Sequence, residues 1–224
     1  MILPLPPVLV ITDRSQARLP LDELAAALFA GGCRWLSLRE KDLPAAERRA
    51  LLQRLAALGK RCGATVTAHD DLDAAAALGI GIHLPAGGSV AEARRRLGAE
   101  AIVGVSAHSD KDIAAAAEAG ADYATLSPIF VSPSKPGYGP ALGLAALRCP
   151  SRFPILALGG IDATNAAACV AAGATGIAVM GEAMRAADPC RFMADLLGRL
   201  APALAGLGTA AHSFATSRNG RASP

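Results

Sequence analysis

Aromatic side chains are scarce in this sequence of 224 residues, where Phe, Trp and Tyr together make up only 4%. Apolar residues nevertheless reach 52%, so the core must be built mainly from Ala, Leu, Val and Ile. Parallel strands that are covered on both faces by helices rich in small residues have this composition. Charged residues make up only 18%. A chain with this much apolar and this little charged sequence is not disordered as a whole.

The five cysteines lack any C-x-x-C spacing, which argues against a zinc site or a disulfide framework. Their odd number favours a reducing compartment, and we expect a cytoplasmic protein. The net charge is only +3, and the basic residues are scattered rather than gathered in one stripe. Because nucleic-acid binding needs a basic footprint and aromatic side chains for stacking, we expect no nucleic-acid partner. The cysteines are Cys33, Cys62, Cys149, Cys169 and Cys190.

No apolar stretch is long enough to cross a bilayer without a glycine or a charge, so we expect no membrane span. The apolar N-terminal segment MILPLPPVLVIT lacks basic residues and contains prolines. We therefore interpret it as the approach to a first strand and not as a signal peptide. At the other end, residues 207–224 are rich in Ser, Ala and Gly without an apolar period, and we predict a disordered tail there.

Short apolar runs alternate with alanine-rich helical patterns along most of the chain, which is typical of repeated β–α units. Glycines recur after the helical patterns, where a left-handed C-cap residue is needed. Because no G-x-G-x-x-G follows the first strand, eight such units predict a single-domain (β/α)₈ TIM barrel over residues 1–206 instead of an open doubly wound sheet. The predicted strands are Val8–Thr12, Trp35–Leu38, Ala64–Ala68, Ile80–Leu84, Ala101–Val105, Tyr123–Leu126, Ile155–Leu158 and Gly176–Val179. The helices are predicted to begin near Leu21, Pro44, Asp71, Val90, Asp110, Leu142, Thr164 and Pro189, with the last ending near Leu204.

Cationic side chains follow the second predicted strand. Barrels of this kind bind ligands in the loops after the C-terminal ends of their strands. Arg39 and Lys41 lie on the same side of the chain by the period of two, so they favour a polyanionic ligand, although an exposed pair that forms salt bridges is the alternative. Lys135 lies in a loop of about fourteen residues after strand six, and loops of that length are often lids or binding segments.

Glycine turns follow the last two predicted strands, at Gly159–Gly160 and at Met180–Gly181. Glycines there allow backbone amides and a helix N-terminus to approach a phosphate closely. A Gly-Gly pair also makes ordinary turns. The sequence therefore indicates a phosphate cradle, with a plain turn as the alternative.

Two further residues have a functional and a structural interpretation. His108 lies just past strand five and could act as a general acid or base, or it could be structural. Asp70, after strand three, could bind a divalent cation or cap the next helix. For His83 and His212 we favour structural roles.

Six motifs in barrel order resemble the thiamine phosphate synthase/TenI superfamily, from Val8 to about Leu204. They are TD after strand one, LREK at Leu38–Lys41, GVSAHS at Gly104–Ser109, GADYATLSPIFVSPSK at Gly120–Lys135, LALGGI at Leu156–Ile161 and AAGATGIAVMG at Ala171–Gly181.

The synthases of this superfamily join hydroxymethylpyrimidine diphosphate to thiazole phosphate with Mg²⁺ on the diphosphate. The resemblance implies four groups of site residues. Diphosphate would be held by Arg39, Lys41, Ser106 and Lys135, with Ser132 and Ser134 standing where threonines are usual. Thiazole phosphate would be held by Gly159, Gly160, Met180 and Gly181, and Asp70 would supply a Mg²⁺ carboxylate.

The chain departs from the synthase pattern at several positions. Gly88 stands where a second Mg²⁺ aspartate is usual, Ser37 replaces a glutamine and Gly181 replaces a serine. The segment LPAGGS after strand four looks like the TenI branch, whose thiazole tautomerases need a phosphate site and a general acid/base but no metal. Those tautomerases carry a histidine after strand six, where this chain has the synthase-like Ser127–Phe130.

These features favour a thiamine phosphate synthase with a reduced Mg²⁺ shell. The alternatives are a TenI-like tautomerase in which His108 moves the proton, which would need no cofactor, and a non-catalytic regulator that binds thiazole or thiamine phosphates. A homodimer is left open.

Overall fold

The structure is a computed structural model that describes residues 3–132, 140–148 and 153–216. Eight parallel strands form a closed barrel in the order β1 to β8, with β8 returning to pair with β1. This confirms the predicted (β/α)₈ TIM barrel. The strands are β1 Val8–Ile11, β2 Trp35–Leu38, β3 Thr65–His69, β4 Gly81–Leu84, β5 Val103–Ala107, β6 Tyr123–Leu126, β7 Ile155–Ala157 and β8 Gly176–Val179.

The strand bounds follow the predicted ones closely, except at β5. This strand begins and ends two residues later than predicted, so Ser106 lies within the strand and not after it. The register pairs Ser106 with Thr125 of β6, which places both side chains in the upper part of the barrel wall.

Helices cover the outside of the barrel. They are α1 Leu21–Ala30, α2 Ala45–Arg61, α3 Leu72–Leu78, α4 Val90–Leu97, α5 Asp110–Glu118, α6 Ala166–Ala171, α7 Gly181–Arg185 and α8 Pro189–Thr216. The short helix α7 was not predicted. Between β6 and β7, where a helix was predicted near Leu142, the described residues form a 3₁₀ helix over Leu144–Leu147.

Helix α8 differs from its predicted end. It continues through residues 207–216, where the sequence pattern predicts a disordered tail, so that prediction is wrong for this stretch. This stretch is rich in alanine, the strongest helix former, which accounts for the helical backbone. The rest of the predicted tail, residues 217–224, lies outside the described residues. Among the described residues, no helix combines the length and the hydropathy that a membrane span requires.

The barrel interior contains two of the few large aromatic rings. Trp35 and Tyr123 meet edge to face, with ring centroids 4.7 Å apart, and both are fully buried. Gly104 makes room for this packing, because a Cβ at that position would lie 2.0 Å from the Tyr123 ring. Apolar side chains from β1, β7 and β8 complete the layer, which closes the lower part of the barrel.

Candidate active site

The predicted site residues that the structure describes all lie at or just beyond the C-terminal ends of strands. Because the eight strands are parallel, these ends face one mouth of the barrel. The residues are Arg39, Lys41, Asp70, Ser106, His108, Ser132, Gly159, Gly160, Met180 and Gly181. The predicted ligands Ser134 and Lys135 lie outside the described residues.

A buried carboxylate, Glu40, stands between the two cations that follow β2, Arg39 and Lys41. Glu40 is 2% exposed, and its two oxygens accept the backbone amide of Arg14 at 3.2 and 3.1 Å. Burial raises the pKa of Glu40, against the effect of hydrogen bonds from Thr12 and the Arg14 amide. Since side chains alternate along the chain, anchoring Glu40 on one side leaves Arg39 half-buried and Lys41 exposed on the other side. This anchor was not predicted, and its only signal in the sequence is an acid between two cations.

Arg39 has an acidic neighbour, Asp13, in the loop that follows β1. Its backbone amide donates to Thr12 Oγ1 at 2.9 Å. Burial works to raise the pKa of Asp13, but hydrogen bonds from Ser15 and Gln16 and the charge of Arg39 together lower it. Arg39 is thus held at the end of β2 by its backbone and balanced by an ionised aspartate.

The two aspartates after β3 have separate roles. Asp71 caps α3, because its Oδ1 accepts the Ala74 amide at 3.0 Å. Asp70 does not cap; it is exposed and has a left-handed backbone with φ 56°, held by its amide donating to the His83 carbonyl at 2.9 Å. A non-glycine residue in this conformation stores backbone strain, which is common at functional sites.

Mg²⁺ is commonly held by one or two carboxylates together with substrate phosphates. Among the described residues, no three His, Cys, Asp or Glu side chains are grouped to hold a metal ion. Gly88, at the position of the usual second aspartate, packs against Leu84 and Pro85. Asp70 therefore fits a site with one protein carboxylate, in which the diphosphate would supply the remaining oxygens.

A hydrogen-bonded group of side chains lies below the mouth. His83 is 1% exposed, with Nδ1 3.0 Å from the Tyr123 hydroxyl and Nε2 3.0 Å from Ser106 Oγ. Thr125 Oγ1 lies 3.4 Å from the same Nε2. Burial lowers the pKa of His83 to about 3. The predicted ligand Ser106 is half-buried and is thus linked to the barrel interior through His83.

Hydrogen bonds with Ser127 and Asp112 hold His108 at the end of β5. Its Nδ1 lies 2.8 Å from the carbonyl oxygen of Ser127, and its amide donates to Asp112 Oδ2 at 2.9 Å. Because a carbonyl can only accept, Nδ1 carries the proton in the neutral ring. Nε2 is then the nitrogen with the lone pair, as a general base requires.

The Gly159–Gly160 turn packs tightly against the loop after β6. A Cβ at Gly160 would lie 2.5 Å from the Val131 carbonyl oxygen, and Gly160 has φ 63°. The Phe130 amide donates to the Gly159 carbonyl at 3.0 Å. Asn165, which the sequence analysis missed, donates from Nδ2 to the Gly160 carbonyl at 2.8 Å. Close packing of two loops thus accounts for these glycines, and it keeps the turn in one conformation.

The turn after β8 leads directly into α7. Gly181 is the first residue of this helix and is buried, whereas Met180 is half-buried and packs against the inner barrel cluster. Amides at a helix N-terminus favour anions. Two glycine-containing turns therefore follow the neighbouring strands β7 and β8, and only β1 separates β8 from β2, the strand that the cations follow.

These features define a (β/α)₈ barrel in which cationic and carboxylate side chains follow β2 and β3 and glycine-containing turns follow β7 and β8, all at the same mouth. The chain belongs to the thiamine monophosphate synthase family, whose family model matches residues 8–183.

Proteins similar to this chain carry names that match this family. A putative thiamine-phosphate synthase of Geobacter sulfurreducens is 40% identical over 199 residues, which cover 86% of this chain and 93% of that protein. The thiamine-phosphate synthase of a Roseiflexus species is 39% identical over 188 residues, covering 81% of this chain and 80% of that protein. Among solved structures, a thiamine phosphate pyrophosphorylase from Pyrococcus furiosus matches with a TM-score of 0.79 and 27% identity, covering 88% of this chain and 96% of that one.

Proposed function

We propose that this protein is a thiamine phosphate synthase that joins hydroxymethylpyrimidine diphosphate to thiazole phosphate and releases diphosphate. Family membership and relatives of about 40% identity with this name support the reaction. The structural observation that carries the proposal is the common mouth shared by Arg39, Asp70 and Ser106. A cation, a carboxylate and a hydroxyl at the same end of the barrel suit a diphosphate bound with Mg²⁺.

Each substrate is assigned to its own set of residues at the mouth. We assign the diphosphate to Arg39, Lys41 and Ser106, together with Ser132, Ser134 and Lys135 of the loop after β6. The phosphate of the thiazole is assigned to the turns at Gly159–Gly160 and Met180–Gly181. Asn165 supports this assignment because it fixes the Gly160 carbonyl and so the orientation of the following peptide.

The coupling reaction depends more on stabilising the leaving diphosphate than on a general base. In the coupling step the bond between the pyrimidine methylene carbon and the diphosphate oxygen breaks, and the thiazole nitrogen forms the new bond to that carbon. Negative charge grows on the leaving diphosphate, so cations and hydrogen-bond donors aimed at it lower the barrier. Mg²⁺ bound by Asp70 would add further charge neutralisation at the diphosphate.

A coupling assay tests the proposal. Purified protein is incubated with both substrates, with and without Mg²⁺, and thiamine phosphate and diphosphate are quantified. We expect stoichiometric formation of both products that depends on Mg²⁺. Absence of thiamine phosphate at any Mg²⁺ concentration would contradict the synthase assignment.

The geometry of His108 favours a second candidate, a thiazole tautomerase. The proton on Nδ1 leaves Nε2 as the acceptor, which suits proton transfer on a carboxythiazole phosphate. Isomerisation should then survive chelation of metal ions and disappear in His108→Gln. Unchanged turnover in that variant would remove His108 from the mechanism. A protein that binds thiazole phosphate but catalyses neither reaction would be a regulator.

We also propose that the protein acts in the cytoplasm on small phosphorylated molecules and binds no nucleic acid. The scattered basic residues and the odd number of cysteines without C-x-x-C spacing support this assignment. A homodimer is the oligomeric state that we propose to test, by light scattering of the eluting peak in size-exclusion chromatography.

A further inference from the structure

His83 connects the closed lower barrel to the mouth. Its Nδ1 contacts the hydroxyl of Tyr123, which is fully buried, and its Nε2 contacts Ser106, which is half-buried. Each of these two distances is 3.0 Å. Ser106 is therefore the member of the chain that reaches the ligand side, while the other two lie beneath it.

The His83 ring is 1% exposed and its polar contacts are hydroxyl groups, so burial favours the neutral ring. In a neutral imidazole one nitrogen donates and the other accepts. Burial also raises the pKa of Tyr123, so its hydroxyl keeps its proton. A phenol is a better donor than a neutral imidazole N–H, and an imidazole lone pair is a better acceptor than a phenol oxygen. The Tyr123 hydroxyl therefore donates to Nδ1.

The opposite arrangement is disfavoured by the surroundings of Tyr123. Within residues 3–132, 140–148 and 153–206, the Tyr123 hydroxyl has His83 Nδ1 as its one hydrogen-bond partner. If Nδ1 donated instead, the phenolic proton would be buried without a protein acceptor, which is costly. Gly104 shows that the ring position is built into the barrel, since any larger residue there would collide with it.

The proton of the ring then lies on Nε2. From there it is donated to Ser106 Oγ, with Thr125 Oγ1 as a weaker acceptor at 3.4 Å. A serine oxygen that accepts from below keeps its own proton for another partner. The Ser106 hydroxyl is thereby turned away from His83.

We propose that His83 and Tyr123 are positioning residues, which make the Ser106 hydroxyl a hydrogen-bond donor aimed at an anionic ligand in the mouth. The inference rests on the proposed function, because the anion is the diphosphate that Ser106 is assigned to hold. Ser106 touches the ligand, and His83 acts only through it. The contribution grows as charge builds on the leaving diphosphate, so it affects kcat more than KM.

A double-mutant cycle on the full-length enzyme tests this linkage. Ser106→Ala and His83→Asn should each lower kcat/KM for the pyrimidine diphosphate by roughly 10- to 100-fold, the range for hydrogen bonds to charged groups. If His83 acts through Ser106, the double variant should be no slower than Ser106→Ala alone. Effects of the two substitutions that multiply would overturn the proposal.

Matched variants separate positioning from folding. His83→Gln keeps an N–H donor near the position of Nε2, whereas His83→Asn does not, so only the glutamine should restore part of kcat. Tyr123→Phe removes a single oxygen and should lower kcat by roughly 3- to 10-fold with KM nearly unchanged. Equal kcat values for His83→Gln and His83→Asn, both folded by circular dichroism, would count against the inference.

A spectroscopic readout needs no turnover. Nitrogen-15 NMR of labelled histidine should show His83 with a protonated Nε2 and a bare Nδ1, and Tyr123→Phe should weaken that preference. A protonated Nδ1 in the wild-type protein would overturn the inference.

If the protein failed to couple the substrates, the proposed function would fail alone. Calorimetric binding of inorganic pyrophosphate with Mg²⁺, weaker in both Ser106→Ala and His83→Asn, would then still support the positioning role, and equal binding would refute it.

Discussion

Arg48 and Asp71 form an ion pair in which Nη2 lies 2.8 Å from Oδ2, and this pair fastens α2 to the first turn of α3. The other carboxylate oxygen of Asp71 caps the helix at Ala74. Both carboxylate oxygens of Asp71 therefore have structural partners. The neighbouring Asp70 remains at the mouth with a strained backbone and an exposed carboxylate.

Replacing Asp70 by asparagine should separate its charge from its backbone conformation. Asparagine tolerates the left-handed region, so the fold should be unchanged, whereas alanine would add about 1 kcal/mol of strain. Loss of the carboxylate should raise the Mg²⁺ concentration needed for half-maximal coupling by on the order of tenfold or more. The measurement is a Mg²⁺ titration of the initial rate.

Asp73→Asn is the matched control for this substitution. Asp73 lies in the same region and pairs with Arg96, but its side chain is 73% exposed, so its loss should change stability by less than about 1 kcal/mol. The Mg²⁺ titration of this variant should match the wild type. An Asp70→Asn enzyme with a wild-type titration would remove Asp70 from the metal site.

Gly160→Ala should destabilise the turn after β7 through a collision as well as through backbone strain. Gly79 has the same φ of 63° but no atom within 4 Å of the position of a Cβ. Gly79→Ala should therefore cost about 1 kcal/mol from strain alone, while Gly160→Ala should cost about 1–3 kcal/mol more. Urea unfolding measures both free energies. Equal values would show that the packing against Val131 is loose.

The buried His83 should make stability depend on pH. Its pKa is lowered from the ordinary 6.5 to about 3, so between these values the unfolded chain binds more protons than the folded one. The free energy of unfolding should thus fall as pH decreases from 6.5 towards 3. The slope from this residue is about 1.4 kcal/mol per pH unit at most.

His83→Gln should remove this component, because glutamine does not titrate. The difference in unfolding free energy between wild type and variant is measured by chemical denaturation at several pH values from 7 to 4. We expect the wild type to lose its advantage steadily on acidification. A constant difference across this interval would mean that His83 titrates alike in both states.

Arg39→Ala should lower kcat/KM for coupling by roughly 10- to 150-fold, since a hydrogen bond to a charged phosphate is lost. Arg54→Ala serves as the control for the loss of an arginine. Arg54 forms an exposed ion pair with Asp22 on the outer helices, and its removal should leave coupling unchanged. Steady-state kinetics with varied pyrimidine diphosphate tests both variants. Similar losses in the two would point to a nonspecific effect of net charge.

Much of the fold could be predicted from local pattern. Trp35–Leu38, Tyr123–Leu126 and Gly176–Val179 are strands with the predicted bounds, because their short length and the glycines before them distinguish such apolar runs from helices. The bounds of β5 were shifted because Ala101 and Ile102 continue the same apolar pattern and do not show where hydrogen bonding begins. Helix α7 is five residues long, too short to show an apolar period.

The chain by itself determined the barrel and the placement of polar residues after its strands, because alternating patterns and strand polarity act over a few residues. It left open whether Asp70 caps α3 or binds a cation, and it favoured only a structural role for His83. Tertiary structure decided both: Arg48 on another helix engages Asp71, and Tyr123 and Ser106 reach His83 from β6 and β5. Such contacts join residues 23 to 40 positions apart, and only closure of the barrel brings them within hydrogen-bonding distance.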